Sequence, residues 1–302
     1  MKPVAALFTA FLITSSALGD SQPGRPRYRY QTLDVPGAVA STANGIADNR
    51  DVVGVFSDSS NRQHGFRLNA DGITVIDYPD AVVTAARGIA PNGDIVGTYR
   101  LRGEPAVNVH GFLRSKDGVF SPIDYRGSTN TIAQRILPDG TILGCRHDSD
   151  MMASMRGIVL AGADQSEVDV EASMHNGGTP DLSLIVGLYT DMESMTGRAY
   201  MIVNGEFSAF DYPGAAFTAA WDAGPSGAIV GVYQGPDGTA HGFLLEDGEF
   251  TSIDFPGALH TRAFGINARG DIVGSYVDAA RRTRSFVARR FVRVPGTKER
   301  PE

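Results

Sequence analysis

Short hydrophobic segments alternate with turns rich in Asn, Asp and Gly along almost the whole chain. After residue 19, no segment shows sustained 3.6-residue periodicity, so long helices are not expected. Turns such as Asn92-Gly93 and Asp247-Gly248 supply the positive-φ positions that tight hairpins need. The pattern predicts an all-β protein built from many short antiparallel strands.

Three short motifs recur in step along these strands. One is a hydrophobic pair followed by a glycine, and these glycines lie 43 to 47 residues apart, at Gly54, Gly97, Gly144, Gly187, Gly231 and Gly274. Another is an aspartate that closes a hydrophobic strand, at Asp34, Asp77, Asp124, Asp169, Asp211 and Asp254. The third is His-Gly-Phe, at His64, His110 and His241, which the other units replace by sequences starting at Arg156, Arg198 and Arg284. Motifs that keep step in this way indicate six copies of one unit.

Each unit divides into four short strands. In the last unit, strands are predicted over residues 261–266, 271–277 and 284–288, and residues 250–255 show the fourth strand of the preceding unit. Four strands in about 43 residues, repeated six times, are typical of a six-bladed β-propeller, here over residues 28–295. An open β-solenoid is the alternative. Because glycine weakens a strand, its repetition implies close packing, and we expect an aromatic ring from the next blade to lie over it.

The two ends of the repeat region are incomplete in complementary ways. Residues 28–35 have the pattern of a fourth strand with no first three before it. Residues 291–294 are a poor copy of the fourth strand that the last unit needs. We therefore expect the N-terminal strand to complete the last blade and close the ring.

The first residues of the chain have the features of a targeting segment. Residues 1–19 combine a lysine, a short apolar run and small residues at the end, which predicts a secretory signal peptide. An uncleaved membrane anchor is the alternative, although the run falls short of the about 20 apolar residues that a span needs. Residues 20–27 are then a spacer and residues 296–302 a disordered tail. The protein is expected to be secreted or periplasmic, with no membrane span after cleavage.

The net charge limits the classes of partner, and the cysteine content limits the covalent cross-links. The net charge of −7 argues against nucleic acids and anionic membranes. The single cysteine, Cys145, excludes a disulfide within the chain. An unknown extracellular ligand or protein is the expected partner.

The motifs together resemble those of a known repeat family. Ile-Asp-Tyr-Pro, Gly-Asp-Ile-Val-Gly and His-Gly-Phe-Leu are similar to the bacterial extracellular HAF-repeat family, which is named for its His-Ala-Phe tripeptide. The resemblance covers residues 30–290, and the middle residue of the tripeptide is Gly here. The family implies a secreted bacterial protein with a repeat-built, propeller-like β-fold. It implies no agreed activity, so it supplies no catalytic residues.

The loops indicate where a ligand would bind. In a propeller, the loops between second and third strands share one face with the loops between blades, and here the former are long and dissimilar. Conserved scaffolds with varied loops on one face commonly present binding surfaces. We expect a ligand on that face or at the mouth of the central channel, with four candidate contacts, Trp221, Tyr233, His260 and Tyr276.

Methionine is distributed unevenly. Apart from Met1, all methionines lie between residues 151 and 201, among Cys145, His147 and His175. Thioethers and imidazole suit Cu(I), so one hypothesis is a copper site formed by Met151, Met152, Met155, Met192, Met195 and His147. The alternative is that methionine fills irregular gaps in units that depart from the repeat. No other cofactor is expected.

The repeated Asp and His residues are interpreted as structural, because an active site is needed once and these groups occur several times. Asp would accept turn amide hydrogens, and His would donate to a neighbouring backbone group or carboxylate. The common catalytic motifs are missing from the sequence. The sequence therefore favours a non-enzymatic binding or interaction module. The alternative is a hydrolase or lyase acting on an extracellular glycan or other polymer, for which Asp237 and His241 are the first pair to test.

Overall fold

Short antiparallel strands make up most of Arg27–Phe291, which is the part of the chain that the computed structural model describes. The predicted signal peptide (residues 1–19), most of the spacer and the predicted tail (296–302) lie outside the described residues. In chain order the strands are β1 (Arg27–Leu33), β2 (Ala40–Ile46), β3 (Val52–Ser57), β4 (Gln63–Asn69), β5 (Gly72–Ile76), β6 (Ala81–Ile89), β7 (Ile95–Leu101), β8 (His110–Arg114), β9 (Phe120–Ile123), β10 (Asn130–Ile136), β11 (Ile142–His147), β12 (Arg156–Ala161), β13 (Asp164–Glu167), β14 (Ser173–Gly178), β15 (Leu184–Asp191), β16 (Thr196–Val203), β17 (Glu206–Phe210), β18 (Phe217–Ala223), β19 (Ile229–Gln234), β20 (Ala240–Glu246), β21 (Glu249–Ile253), β22 (His260–Ile266), β23 (Ile272–Val277) and β24 (Thr283–Phe291).

The helical content of Arg27–Phe291 is a single turn, α1 (Met151–Ser154), in the loop between β11 and β12. Asp150 caps it by accepting the backbone N–H of Ala153. Among the described residues, no helix has the length and apolar character needed to cross a membrane. The prediction of an all-β protein is confirmed.

Within Arg27–Phe291 the strands form five hydrogen-bonded sheets. Three are meanders of four consecutive strands, β10–β13, β14–β17 and β18–β21. A fourth has the order β1-β24-β23-β22, and the fifth contains the eight strands β2–β9. The eight-stranded sheet consists of two meanders, β2–β5 and β6–β9, which a single parallel residue pair, Gln63 with Val83, joins.

The N-terminal strand lies in the sheet of the last three strands, as the sequence predicts. β1 pairs antiparallel with β24 over its whole length, from Arg27 opposite Phe291 to Leu33 opposite Ser285. Tyr30 packs against Phe286 with ring centroids 6.0 Å apart. The sheet β1-β24-β23-β22 also contacts the sheet that begins with β2. Asn267 Nδ2, after β22, donates to the carbonyl of Ala47, after β2, at 3.1 Å. The chain therefore closes on itself.

The repeated glycine on the second strand lies under an aromatic ring in five of the six units, and Gly144, opposite Ile158, is the exception; the ring comes from an unexpected place. Gly54 is directly opposite Phe66, and Gly231 directly opposite Phe243, on the neighbouring strand of the same sheet. A Cβ at Gly54 would lie 2.6 Å from Phe66 Cε1. The prediction of a ring from the next blade is therefore wrong. The Phe of His-Gly-Phe covers the glycine of its own unit, since cross-strand neighbours are the closest side chains in a sheet.

Candidate functional site

Six strands share a β-bulge at the same position in the described part of the chain. They are β2, β6, β10, β14, β18 and β22, the first strand of each unit. In each of these strands, one extra, unpaired residue lies between two residues that pair with the neighbouring strand. The extra residues are Asn44, Arg87, Gln134, Asn176, Trp221 and Phe264. A bulge of this kind re-aims a side chain out of the regular alternation.

The residue after each bulge lies close to the axis on which these strands converge. Four of the six are glycines, and the other two are Arg135 and Asp222. A Cβ at Gly45 would lie 2.9 Å from Arg135 Nη1, and one at Gly177 would lie 2.5 Å from Asp222 Oδ1. The missing side chains thus leave the space that Arg135 and Asp222 occupy.

Arg135 holds the centre of this arrangement through backbone carbonyl groups. Its Nη1 donates to the carbonyls of Asn44 and Arg87, both at 3.3 Å. Its Nη2 donates to those of Trp221 and Phe264, at 3.4 and 2.9 Å. All four acceptors are bulge residues on strands that lie around the ring. The guanidinium therefore crosses the axis.

Asp222 completes the centre with an ion pair. Its Oδ1 lies 3.2 Å from Arg135 Nε, and both side chains are only 7% exposed. The carboxylate also accepts the backbone N–H of Ala223 at 3.0 Å and of Ile266 at 3.1 Å. Burial raises the pKa of Asp222 to about 6, against the lowering by Arg135 and the two amides. The pair touches all six bulged strands and closes the channel at this level.

A cavity of about 350 Å³ lies beside this ion pair. Its walls are Asn44, Arg87, Phe217, Trp221, Val232, Arg262 and Phe264. Trp221 and Phe264 meet edge to face, with ring centroids 5.0 Å apart and planes at 88°. Arg262 and Phe264 both line the cavity, and Arg262 lies two positions nearer the start of β22. The cavity thus extends from the ion pair toward the face that carries the long loops.

The cavity wall is cationic. Arg87 Nη1 donates to Gln134 Oε1 at 3.0 Å, and its Nε donates to Thr98 Oγ1 at 3.3 Å. Burial lowers the pKa of Arg87. Within Arg27–Phe291, no carboxylate lies within 4.0 Å of the guanidinium of Arg87 or Arg262. The lining residues contain no carboxylate, imidazole, hydroxyl or thiol.

The structure places one of the four predicted ligand contacts in this cavity. Trp221 lines it, whereas Tyr233 stacks on Tyr212 at 3.6 Å and Tyr276 stacks on Phe255 at 3.8 Å, both outside the lining. The hydroxyl groups of these two tyrosines are engaged as well, by Ser252 and Thr32, each at 2.8 Å.

His260, the fourth predicted contact, starts β22 two positions before Arg262. Its Nδ1 accepts the backbone N–H of Ala240 at 3.1 Å. It is outside the residues that line the cavity, on the side of the loops.

The repeated His and Asp residues meet in pairs. Nδ1 of each histidine lies 2.8 to 3.0 Å from the strand-closing carboxylate of its unit, in the pairs His64–Asp77, His110–Asp124 and His241–Asp254. Arginine makes the same link in Arg198–Asp211 and Arg284–Asp34, whereas Arg156 pairs with Glu171 rather than Asp169. The carboxylate thus faces the third-strand side chain rather than the turn amides that the sequence suggested.

His110 shows the electrostatic effect of such a pair. Burial lowers its pKa, but its hydrogen bonds with Asp124 and Glu104 outweigh this and raise the pKa above its usual value. Each pair links the third and fourth strands of one unit, next to a stacked aromatic ring such as Tyr99.

The methionine-rich region is partly packed and partly exposed. Met155 is buried in a cluster with Cys145 and Ala172, against which Met152 and Met174 also pack. Met151, Met192 and Met195 are exposed. His147 is buried, and its Nδ1 lies 3.1 Å from the carbonyl oxygen of Asp148. Burial raises the pKa of the Cys145 thiol to about 12, which disfavours the thiolate.

Among the described residues, no group of three or more His, Cys, Asp or Glu side chains could hold a metal ion. The contacts of Met152, Met155 and Met174 are those expected of gap-filling methionines. The Cu(I) site stays a prediction.

Sequence reasoning did not identify the residues at the centre of the ring. Arg135, Asp222, Arg87 and Arg262 belong to none of the three recurring motifs. One signal was available in the aligned units. The residue that follows the bulge is Gly45, Gly88, Gly177 or Gly265 in four of them, and a charged residue of opposite sign in the other two.

Comparisons with known proteins bear on the fold. No protein-family model matches the chain, and no curated protein sequence does. Among solved structures, TolB from Acinetobacter baumannii is similar at 12% identity and a TM-score of 0.55, over 82% of this chain and 63% of that one. The chain thus spans less than two thirds of the length of that protein.

Two further structures are similar over most of both chains. The β-propeller domain of the Trilobed protease from Pyrococcus furiosus has a TM-score of 0.53 and 11% identity, over 85% of this chain and 99% of that one. A gluconolactonase from Xanthomonas campestris, XC5397, has a TM-score of 0.55 and 14% identity, over 87% and 90%. At these identities the likeness shows the fold alone, which is a β-propeller.

Proposed function

We propose that the chain is a six-bladed propeller that acts as a secreted or periplasmic, non-enzymatic binding module, with its ligand in the axial cavity. The blade count is supported by the six bulged strands that meet at Arg135 and Asp222. The eight-stranded sheet counts as two blades, because one residue pair joins its halves. The localisation rests on residues 1–19 and on the resemblance to HAF repeats.

The residues that line the cavity favour ligand binding over catalysis. Arginine stays protonated in proteins, so Arg87 and Arg262 are poor proton donors and acceptors near neutral pH. The other lining residues offer an amide and apolar surface. This set can hold and orient a ligand, but it lacks the nucleophile and the general acid or base that hydrolysis or elimination needs. The cavity volume of about 350 Å³ is at the lower end of the range of about 300–1,000 Å³ that is usual for ligand pockets.

The chain contains a built-in reporter for this proposal, because Trp221 is its one tryptophan and lines the cavity. We expect a panel of monosaccharides and short glycans to include compounds that change the tryptophan fluorescence saturably and are recovered unchanged. Phe264→Leu should weaken this binding, because Phe264 packs edge to face on Trp221. Phe207→Leu, at a half-exposed ring outside the lining, is the matched control.

Two results would overturn the proposal. One is a flat titration with every compound although the protein is folded by circular dichroism. The other is conversion of a bound compound into product, which would favour the alternative of a propeller enzyme. Equal effects of Phe264→Leu and Phe207→Leu would place the binding site elsewhere.

A further inference from the structure

We infer that the axial cavity selects a small ring compound that carries a carboxylate, of the sugar-acid class. The carboxylate would lie between Arg87 and Arg262, and the ring against Trp221 and Phe264. This inference rests on the proposed function, because it names the chemistry of the ligand in that cavity.

The wall of the cavity carries an unbalanced positive charge. Within the described chain, no hydrogen bond joins Nη2 of Arg87 or the guanidinium of Arg262 to another residue, and both residues are partly exposed. Arg135 is matched by Asp222, so the positive charge of the cavity belongs to Arg87 and Arg262. Both guanidinium groups are partly shielded from water and lack a counter-ion, and a bound anion would offset that partial loss of hydration. The net charge of the chain is −7, so the cationic cavity is a local feature.

The charged hydrogen-bond donors of the wall are guanidinium groups, whose shape suits a planar anion. A guanidinium presents its N–H groups in a planar fork that binds a carboxylate or a phosphate in a bidentate way. Phosphate sites are commonly built from backbone N–H groups at helix N-termini or in nests. Here four of the six bulge residues direct their carbonyl oxygens to Arg135 at the closed end of the cavity. The backbone there presents acceptors rather than the N–H groups typical of phosphate sites, so an anion in this cavity would bind through the arginine side chains, and inorganic phosphate is the competitor to compare with a carboxylate.

The cavity is small and has an aromatic wall. Trp221 and Phe264 offer one ring face and one ring edge at 88°, a corner that suits the apolar face of a ring compound. About 350 Å³ accommodates a small molecule rather than a polymer chain. The ion pair of Arg135 and Asp222 blocks the far end, so a long chain has no way through.

The experiment compares acidic and neutral sugars of the same ring. We would titrate the protein with galacturonate, galactose, glucuronate, glucose and inorganic phosphate, and follow Trp221 fluorescence and calorimetry. The uronates should bind at least tenfold more tightly than the matched neutral sugars, and phosphate should not saturate in the same range. The preference should shrink as salt is added, because part of it is electrostatic.

Variants assign the preference to the two arginines. Arg262→Gln should weaken uronate binding about tenfold to a hundredfold, which is the effect of losing a charged hydrogen bond. It should leave the binding of a neutral sugar nearly unchanged. Arg102→Gln is the matched control, because Arg102 is exposed in the loop after β7, on the same face as the cavity mouth. It should change neither ligand class.

The outcomes separate this inference from the proposed function. If galactose or glucose binds as tightly as its uronate and Arg262→Gln changes nothing, the charge argument is overturned while cavity binding stands. If phosphate binds and the uronates do not, the ligand class is wrong. If no probe binds the folded protein, the cavity proposal itself fails.

Discussion

Replacing Asp222 by alanine removes the counter-ion of the guanidinium at the centre of the ring. In the native protein, Asp222 Oδ1 lies 3.2 Å from Arg135 Nε, and both side chains are 7% exposed. The variant leaves Arg135 with four carbonyl acceptors but without an anion, and arginine cannot lose its proton to relieve this.

The expected size of the effect follows from the burial of the pair. Breaking a buried ion pair by removing one partner typically costs about 3–5 kcal/mol. A folded domain is stable by only about 5–15 kcal/mol, so the loss should be visible in any unfolding experiment. Replacing both partners removes both buried charges, so Arg135→Met combined with Asp222→Ala should cost less than the sum of the single changes, by about 0.5–3 kcal/mol.

The assay is urea unfolding at pH 7, followed by Trp221 fluorescence and by circular dichroism, for the native protein, both single variants and the double variant. Glu167→Ala is the matched control, because Glu167 pairs with Arg146 at 2.7 Å on the surface and its removal should cost at most about 1 kcal/mol. Strictly additive single changes, or an Asp222→Ala effect no larger than that of Glu167→Ala, would refute the reasoning.

Three further outcomes are expected. Burial raises the pKa of Asp222 to about 6 in the folded protein, so ionising this carboxyl costs the folded state free energy; the favourable effect of its protonation is present below pH about 4 and lost as the pH rises through about 6, while Arg135 still needs the anion at pH 7. The difference in unfolding free energy between the native protein and Asp222→Asn should therefore shrink by up to about 3 kcal/mol from pH 4 to pH 7, and a flat difference would contradict the assignment. Gly231→Ala should destabilise by about 1–3 kcal/mol, since its Cβ would clash with the carbonyl oxygen of Ala219 and lie 2.5 Å from the ring of Phe243; Gly224→Ala, whose nearest neighbour is 3.7 Å away, is the control, and equal melting temperatures for the two variants would disprove the steric argument. Deleting residues 27–33 should lower the melting temperature of the whole protein in one cooperative transition, because β1 is paired along its full length with β24; an unchanged melting temperature would show that β1 does not hold the ring closed.

The sequence was most informative where the structure depends on local patterns. The four-strand unit follows from period-two segments and Asn-, Asp- and Gly-rich turns, all of which act within about 43 residues. Predicted strands such as 261–266 and 284–288 agree with β22 and β24 within a few residues. The pairing of β1 with β24 followed from counting, because one unit lacked a fourth strand and one fourth strand lacked a unit.

The candidate ligand contacts could not be assigned correctly from local sequence patterns. Tyr233 and Tyr276 looked like loop aromatics, yet Tyr212 and Phe255 cover them by stacking at 3.6 and 3.8 Å. Each of these stacks joins residues of neighbouring sheets, so only the packing of the sheets can tell which neighbour covers the ring. Gly54 and Phe66 belong to two separate motifs in the sequence, and the strand pairing within one sheet places them opposite one another.

By itself, then, the sequence determined the strand-forming unit, its repetition and the way its ends complete each other, because each depends on short-range alternation and turn chemistry. Only the tertiary structure decided what lies on the axis. Closing the ring brings one residue from each of six distant units to a single point, where four glycines leave room for Arg135 and Asp222. No local sequence pattern predicts that these residues meet, so the blocked channel and the cationic cavity beside it could be found only in the tertiary structure.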